Sequence, residues 1–327
     1  MAWNGAPWPE WGSEQKTLDH VEYHGHAGEI LDEKDGKFVI FCRTCILIHF
    51  IPIPSEAFLS EYYEKKFYQE VKVDYEKLYN EDREWWNIHN GYTLDWVDSR
   101  LKSSTRKVLD VGTGPGLFLD LARSKGWYTY GIEPNPKFCQ SLWTSGHVMR
   151  QGMLNDSNPF TNVKFDLINA WEVAEHARDA ELFFERCSNL LNPGGMLHIV
   201  VPNEYTQGML EACRRYQLPR WWLAFPDHIN YFTPKTAQLH LRRVGTFKII
   251  DMRSTFPMVE HFILEKGLVY VGNPQLGRKC HHNRVDYEME MYKSGKFELL
   301  MDEYRNNVAD PYSGSVGREL HIVAVKE

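Results

Sequence analysis

The sequence predicts an α/β fold built around a strand–turn–helix unit that brings its backbone up to a ligand. Three observations support this. In Lys107-Val-Leu-Asp-Val-Gly-Thr-Gly-Pro-Gly116 an apolar, β-branched run stops at a glycine-rich turn, and Leu117, Phe118, Leu121 and Ala122 then follow with helical spacing. A second strand-like run, Tyr128 to Ile132, ends at the acidic Glu133. Further on, apolar runs at 165–171 and 196–201 flank a helical pattern at 180–191. Strands that alternate with helices in this way fold as α/β layers.

Residues 1–54 read as a small N-terminal unit. Cys42-Arg-Thr-Cys45 follows the strand-like Phe38-Val-Ile-Phe41, and His24-Gly-His26 lies upstream across a hairpin-like segment containing Asp35-Gly36. Two thiolates and two imidazoles complete a closed tetrahedral zinc site, structural because it leaves no position for water. A unit of roughly 40–50 residues needs such a staple, since it buries too little surface to fold alone. The expected ligands are His24, His26, Cys42 and Cys45, with His20 and His49 as substitutes.

Residues 55–101 carry aromatic and aliphatic side chains at helical spacing: Phe58, Leu59, Tyr62 and Tyr63, then Trp85, Trp86 and Ile88. They predict helices packed over the following domain, with Tyr63 and Phe67 as lid residues. The interleaved charges, among them Glu64, Lys65 and Lys66, read as a solvated face.

The core, residues 102–255, opens on the glycine turn. Glycines admit the left-handed backbone of a tight turn, and N–H groups at a helix start attract polar ligand groups. An acidic residue about twenty positions past the glycines is placed to accept hydrogen bonds from both hydroxyls of a ribose. Phe165 to Trp171 reads as the fourth strand, Glu172-Val-Ala-Glu-His176 as the turn after it, and Met196 to Val201 as the fifth strand, entered through Asn192-Pro-Gly-Gly195. Residues 246–252 and 319–326 supply two more strands, the second after an insertion at 256–315 whose role the sequence leaves open. The last strand occupies 316–327.

The Gly-x-Gly-x-Gly turn, with Asp110 inside the motif and Glu133 at its spacing, resembles the class I S-adenosylmethionine-dependent methyltransferases more than the pyrophosphate-binding dehydrogenases. This resemblance implies a Rossmann-like sheet of order 3-2-1-4-5-7-6, its last two strands an antiparallel hairpin. It also implies S-adenosylmethionine as cofactor. Asp110 with Gly112, Thr113, Gly114 and Gly116 would hold the methionine part and Glu133 the ribose. Met153 and Leu154 would wall the adenine, with Asp156 near its amino group, and Ala170 and Trp171 would lie beside the sulfur.

Three further features narrow the resemblance: Cys42-x-x-Cys45, then Pro52-Ile-Pro-Ser55 leading to Tyr62-Tyr63, and Pro226-Asp-His-Ile-Asn-Tyr-Phe-Thr233. Together they are similar to the sugar C-methyltransferases and their relatives in bacterial polysaccharide clusters. Ile46 stands where that group carries glycine, and histidines replace its first cysteine pair. In that group the acidic–histidine pair matching Asp227-His228 faces the acceptor, which makes His228, supported by Asp227, the leading base. Glu172 and His176 on the preceding loop are the competing candidates, because an imidazole titrates near neutral pH. The resemblance implies a carbohydrate acceptor, a nucleotide-linked sugar or surface-polysaccharide precursor, with Trp221, Trp222 and Tyr231 as an aromatic cluster at the acceptor mouth. Two alternatives are an O-methyltransferase of a small aromatic or quinone-like molecule, and a zinc-dependent interaction protein with a relic cofactor fold. The intact Asp110, glycines and Glu133 weigh against the last.

The formal charge of −7 over 327 residues leaves no electrostatic footprint for nucleic acid or an anionic membrane surface. No apolar stretch approaches the ~18 residues of a membrane span, and the first residues lack a basic-then-apolar leader pattern. Of Cys42, Cys45, Cys139, Cys187, Cys213 and Cys280 only the first two are close in sequence, so no disulfide framework is expected. These features predict a soluble, cytoplasmic protein. The pair His281-His282 in the insertion reads as exposed.

Overall fold

The structure is a computed structural model that describes residues 20–102, 105–154, 160, 162–308 and 315–327. Asp156 and the side chain of His20 lie outside the described residues. In chain order the strands are β1 (His20–Tyr23), β2 (His26–Lys34), β3 (Lys37–Cys42), β4 (Leu47–Ile51), β5 (Lys107–Val111), β6 (Tyr128–Glu133), β7 (Val148–Gln151), β8 (Phe165–Trp171), β9 (Leu191–Pro202), β10 (Asn230–Tyr231), β11 (Phe247–Ser254) and β12 (Glu319–Lys326). They form two sheets.

The seven-stranded sheet runs β11-β12-β9-β8-β5-β6-β7. Strands β5 to β9 pair in parallel, and β12 pairs antiparallel with both β9 and β11. Numbered within the core this is 3-2-1-4-5-7-6, the order expected from the glycine-turn motif. Both faces are covered, so the strands read as continuous apolar runs rather than as alternations. One face buries Leu109, Val111, Ile168, Ala170, Leu197 and Ile199 under helices that contribute Phe183, Phe184 and Leu241. The other buries Val108 and Leu167 under Leu94, Phe118, Leu119 and Ala122. Each fully buried Leu, Ile or Phe is worth about 1.5–3 kcal/mol. The two faces thereby fix the carboxyl ends of β5, β6 and β8 side by side.

The second sheet joins β1 to β4 as antiparallel hairpins and ends on β10, two residues of the loop that carries Asp227 and His228, in the order β1-β2-β3-β4-β10. The N-terminal unit therefore does not close on itself. An unpaired edge at β4 would leave backbone groups unsatisfied, and β10 satisfies them.

The described part of the insertion, 256–308 and 315, is predominantly helical, with a long helix Pro274–Lys293 and a shorter one Phe297–Asn306. Phe297, Leu300, Met301 and Tyr304 pack against Ile88 and Tyr92 of the helix Arg83–Asp98. The insertion thus backs the pre-core helices. His282 is exposed, but His281 is only partly exposed and bonds the Asp82 carboxylate through Nε2 at 2.8 Å. Asp82 draws it inward, contrary to the expectation of a solvent-facing pair.

Candidate active site

Two cavities meet at the carboxyl ends of β5, β6 and β8. The first is lined by Ile132, Glu133, Met153, Leu154, Tyr63 and His176, among others, and the second by Asp110, Thr113, Asn169, Trp86 and Arg284. Tyr75, Gly112, Trp171 and Glu172 line both, so the two form one trough.

Glu133 is fully buried. Its Oε2 accepts the Gly114 N–H at 2.9 Å and its Oε1 the Asn135 N–H at 2.8 Å. A carboxylate offers about four acceptor positions, so each oxygen keeps one for a ligand hydroxyl. Burial pushes the Glu133 carboxyl up to about 7, against the two N–H groups, which favour the charged form. Asp110 is likewise pushed up to about 7 by burial, opposed by the Asn169 amide donating at 2.7 Å.

The glycines divide the work. Gly112 (φ 72°) reaches the trough, and a Cβ there would lie 2.7 Å from Val173. Gly114 supplies the N–H that holds Glu133. Gly116 (φ 88°) caps the helix Leu117–Ser124, where a Cβ would collide with Leu142 at 2.1 Å. Ala170 is buried in the sheet core and does not line either cavity. The segment expected to form a lid is a wide, π-type helix, Tyr62–Val71, whose Tyr63, Phe67 and Tyr68 line the trough.

At the far end, imidazoles and carboxylates converge. His176 and His228 lie with ring centroids 5.3 Å apart. The two loops that carry them are tied together: the Ile229 N–H donates to Glu175 O at 2.9 Å, and the Asn230 amide donates to Ala177 O at 2.6 Å. His176 Nδ1 donates to the Asp227 carbonyl at 2.6 Å, and the Tyr63 hydroxyl donates to the same carbonyl at 3.2 Å. His228 Nδ1 lies 3.0 Å from Glu204 Oε1. The expected Asp227–His228 couple is therefore rearranged: successive residues in a loop point apart, so Asp227 serves His176 while Glu204 serves His228.

Electrostatics separate the two rings. Burial lowers His176 below the usual imidazole range, more than Asp227 raises it. Burial also opposes charge on His228, but Glu204, with Glu175 and Asp227 behind it, outweighs this and pushes it up to about 10. Glu175, which is 1% exposed, is held well above the usual carboxylate range by burial, and neither of its oxygens has a hydrogen-bond partner among the described residues.

Trp222 and Tyr231 do not face the acceptor end. Both are buried with Val39, Ile48 and Phe50, and Trp221 packs against that cluster. Their place is the packing of the N-terminal sheet against Tyr205 and the helix Gln207–Tyr216, through Met209 and Cys213.

In the N-terminal sheet His26, Cys42, Cys45 and His49 each offer a ligand atom within 4.8 Å of the others. His26 Nδ1 lies 3.7 Å from Cys42 Sγ and 4.0 Å from Cys45 Sγ. His49 Nδ1 bonds the Phe50 carbonyl at 2.9 Å, leaving Nε2 buried without a partner. His24, by contrast, is exposed at the β1–β2 turn with φ 47°. His49, named above as a substitute, takes its place in the cluster.

Three residues escaped the sequence reading. Glu175 lies inside the noted Glu172–His176 turn, and Glu204 follows the fifth strand within Pro202-Asn-Glu204. Arg284 comes from the insertion. It is 1% exposed and lies over the Trp85 ring at 4.8 Å. Its Nε is 3.7 Å from Glu288 and its Nη1 3.8 Å from Glu319, ion pairs too long for hydrogen bonds, so neither nitrogen has a hydrogen-bond partner among the described residues.

A family model described as "Methyltransferase domain" matches residues 85–249, half of the chain. The chain is similar to proteins named ubiquinone biosynthesis O-methyltransferase. It is 26% identical over 178 residues to that of Azoarcus sp. strain BH72, covering 49% of this chain and 76% of that one. It is 27% identical over 146 residues to that of Rhodopseudomonas palustris strain TIE-1, covering 42% of this chain and 57% of that one. Among solved structures it matches a SAM-dependent methyltransferase from Archaeoglobus fulgidus at 15% identity and TM-score 0.47, over 79% of this chain and all of that one. The family match spans the glycine turn, Glu133, the Glu172–His176 loop and the Asp227-His228 loop, while Tyr63, Tyr75 and Arg284, which also line the trough, lie outside it. The chain is accordingly a member of the methyltransferase-domain family and an S-adenosylmethionine-dependent methyltransferase.

Proposed function

We propose that this chain moves a methyl group from S-adenosylmethionine to a hydroxyl oxygen of a small-molecule acceptor bound at the His176–His228 end of the trough. One observation carries the reading: two imidazoles and the carboxylates of Glu172 and Asp227 line the cavity that also holds Glu133. Such groups bind hydroxyls and can take a proton from one.

The residues fit the cofactor. Thr113 Oγ1, Trp171 Nε1 and two Arg284 nitrogens are buried polar atoms along the trough that have no hydrogen-bond partner among the described residues. Glu133 would take the ribose, Met153 and Leu154 the adenine, and Asp110 with Thr113 the ammonium. Arg284, brought in by the insertion, would take the carboxylate. Bound there, S-adenosylmethionine would supply a sulfonium methyl, which the acceptor oxygen would take as the S–CH3 electron pair stays on sulfur. The chain aligns the two partners, excludes water with Tyr63 and Phe67, and receives the acceptor's proton on Glu172.

The His26, Cys42, Cys45 and His49 cluster fits a closed, structural zinc. Zinc bonds of about 2.0 Å to nitrogen and 2.3 Å to sulfur place tetrahedral ligand atoms about 3.5 Å apart, close to the observed S···N separations.

A carbohydrate acceptor is the second reading. It is supported by the resemblance over the Cys42–Cys45 knuckle and the Asp227-His228 loop, and by an acidic lining suited to several hydroxyls. The names of the relatives support a quinone-like phenol instead. Radiolabelled methyl transfer into parallel panels of catechols, phenols and nucleotide sugars, with NMR of the product, separates the two. A product methylated on carbon or nitrogen, or a wild-type protein that binds no S-adenosylmethionine by calorimetry, would refute O-methyl transfer.

A further inference from the structure

The geometry points to a divalent-metal site formed by Glu175, His176 and His228 at the acceptor end of the trough, with open positions for two adjacent oxygens of the acceptor. The inference rests on the hydroxyl-acceptor reading and deepens it: the acceptor would be a vicinal diol, a catechol or a similar chelating pair.

Each of the three residues offers one ligand atom, and these atoms lie within 4.8 Å of one another. Their hydrogen bonds prepare them. His176 Nδ1 donates to the Asp227 carbonyl, and His228 Nδ1 to the Glu204 carboxylate. Nδ1 of each ring is thereby engaged, which leaves Nε2 for an ion; on His228, which Glu204 otherwise holds charged, the ion would displace the Nε2 proton to solvent. A carbonyl or carboxylate behind an imidazole is the support that metal-bound histidines use. Glu175 contributes the complementary group, a carboxylate that is 1% exposed and whose oxygens have no hydrogen-bond partner among the described residues. A buried carboxylate without donors is costly, and a cation removes that cost. The frame is rigid as well. The Glu175 carbonyl accepts the Ile229 N–H, and the Asn230 side chain bridges to Ala174 and Ala177, so the loops cannot drift apart independently.

The donor set separates this site from the thiolate cluster. Four ligands with two sulfurs make a closed site, whereas two imidazoles and one carboxylate leave a first-row divalent ion, such as Mn2+, Co2+ or Zn2+, with positions to share. Glu172 and Tyr63 line the same cavity as His176 and His228. A bound cation there would orient an acceptor hydroxyl and make its proton easier to lose to Glu172.

The test uses full-length protein stripped with chelator, given one equivalent of Zn2+ to fill the thiolate site, and titrated with Mn2+ under electron paramagnetic resonance. Wild type should take up one further ion per chain. Glu175→Gln and His228→Gln should weaken that ion at least tenfold, within the roughly 10–100-fold range seen when metal surroundings are altered. Both variants should bind S-adenosylmethionine within about threefold of wild type, which shows an intact cradle. Absence of Mn2+, Co2+ and additional Zn2+ from wild type that still binds S-adenosylmethionine would overturn the metal and leave the methyl-transfer reading standing. Equal Mn2+ affinity in wild type and both variants would also overturn it. Failure of wild type to bind S-adenosylmethionine would overturn the methyl-transfer reading, and this inference with it.

Discussion

Phe50 donates its backbone N–H to the carbonyl of Ile229 at 3.0 Å, joining the strand that follows the Cys/His knuckle to the loop that carries His228. The same register sets His49 opposite Asn230. One residue therefore belongs to the knuckle while its cross-strand partner braces the acceptor loop. The N-terminal sheet thus braces the loop that carries His228.

Zinc removal should consequently reach the chemistry. Protein purified without added metal should contain one zinc assigned to the knuckle, and Cys45→Ser should lower its zinc content by one equivalent. In that variant the acceptor KM should rise and kcat fall, while S-adenosylmethionine affinity, set by the other sheet, changes little. Wild type with no thiolate-bound zinc, both Cys42 and Cys45 titrating freely, would contradict the assignment.

Glu133 has two jobs, so its substitutions should separate. Glu133→Gln keeps the shape of the side chain and an acceptor oxygen but loses the charge. Removing charge-assisted hydrogen bonds to the ribose, about 1.5–3 kcal/mol each, should weaken S-adenosylmethionine at least tenfold. Glu133→Ala also frees the N–H groups of Gly114 and Asn135, so it should lower Tm as well as affinity. Calorimetry and thermal melts of the two variants check both parts. Wild-type affinity in Glu133→Ala would remove Glu133 from the ribose.

How far the sequence carried depended on distance along the chain. The turn from Lys107 to Gly116 was legible because strand, glycines and helix are contiguous, and Glu133 because the next strand delivers it at a fixed spacing. In the knuckle, His26 and both cysteines lie on one hairpin pair and were found. His24 was misplaced because a positive-φ turn residue points to solvent, and His49 reaches the cluster only through the pairing of β3 with β4. Trp222 and Tyr231 were misread because an aromatic near a loop looks the same whether it packs a sheet interface or a ligand. Glu204 and Arg284 carry no local signal at all. Their roles depend on contacts made across tens to hundreds of residues.

Arg284 offers a sharp test of the insertion. If its guanidinium binds the methionyl carboxylate, wild type should favour S-adenosylmethionine strongly over 5′-methylthioadenosine, which lacks the amino-acid part. Arg284→Met should lose at least tenfold affinity for the former and little for the latter. Loss of both ligands together would indicate a purely structural residue. Equal retention of both would place the carboxylate elsewhere, with Arg318 the next cation on the same cavity.

The last prediction separates the two acidic partners. Sequence order pairs His228 with its neighbour Asp227, but Glu204 is the group bonded to His228 Nδ1, and Asp227 holds His176 through its main-chain carbonyl. A side-chain change at Asp227 leaves that carbonyl in place. Asp227→Asn should therefore lower kcat only a few-fold, whereas Glu204→Gln, which replaces the charged acceptor that fixes the His228 ring, should cost about 10–100-fold. Turnover of both variants at saturating S-adenosylmethionine, with calorimetry to confirm unchanged cofactor binding, makes the comparison. The order of the two losses is the decisive quantity. If Asp227→Asn proves the more damaging, His228 works with its sequence neighbour and the bond to Glu204 does not persist in the working enzyme.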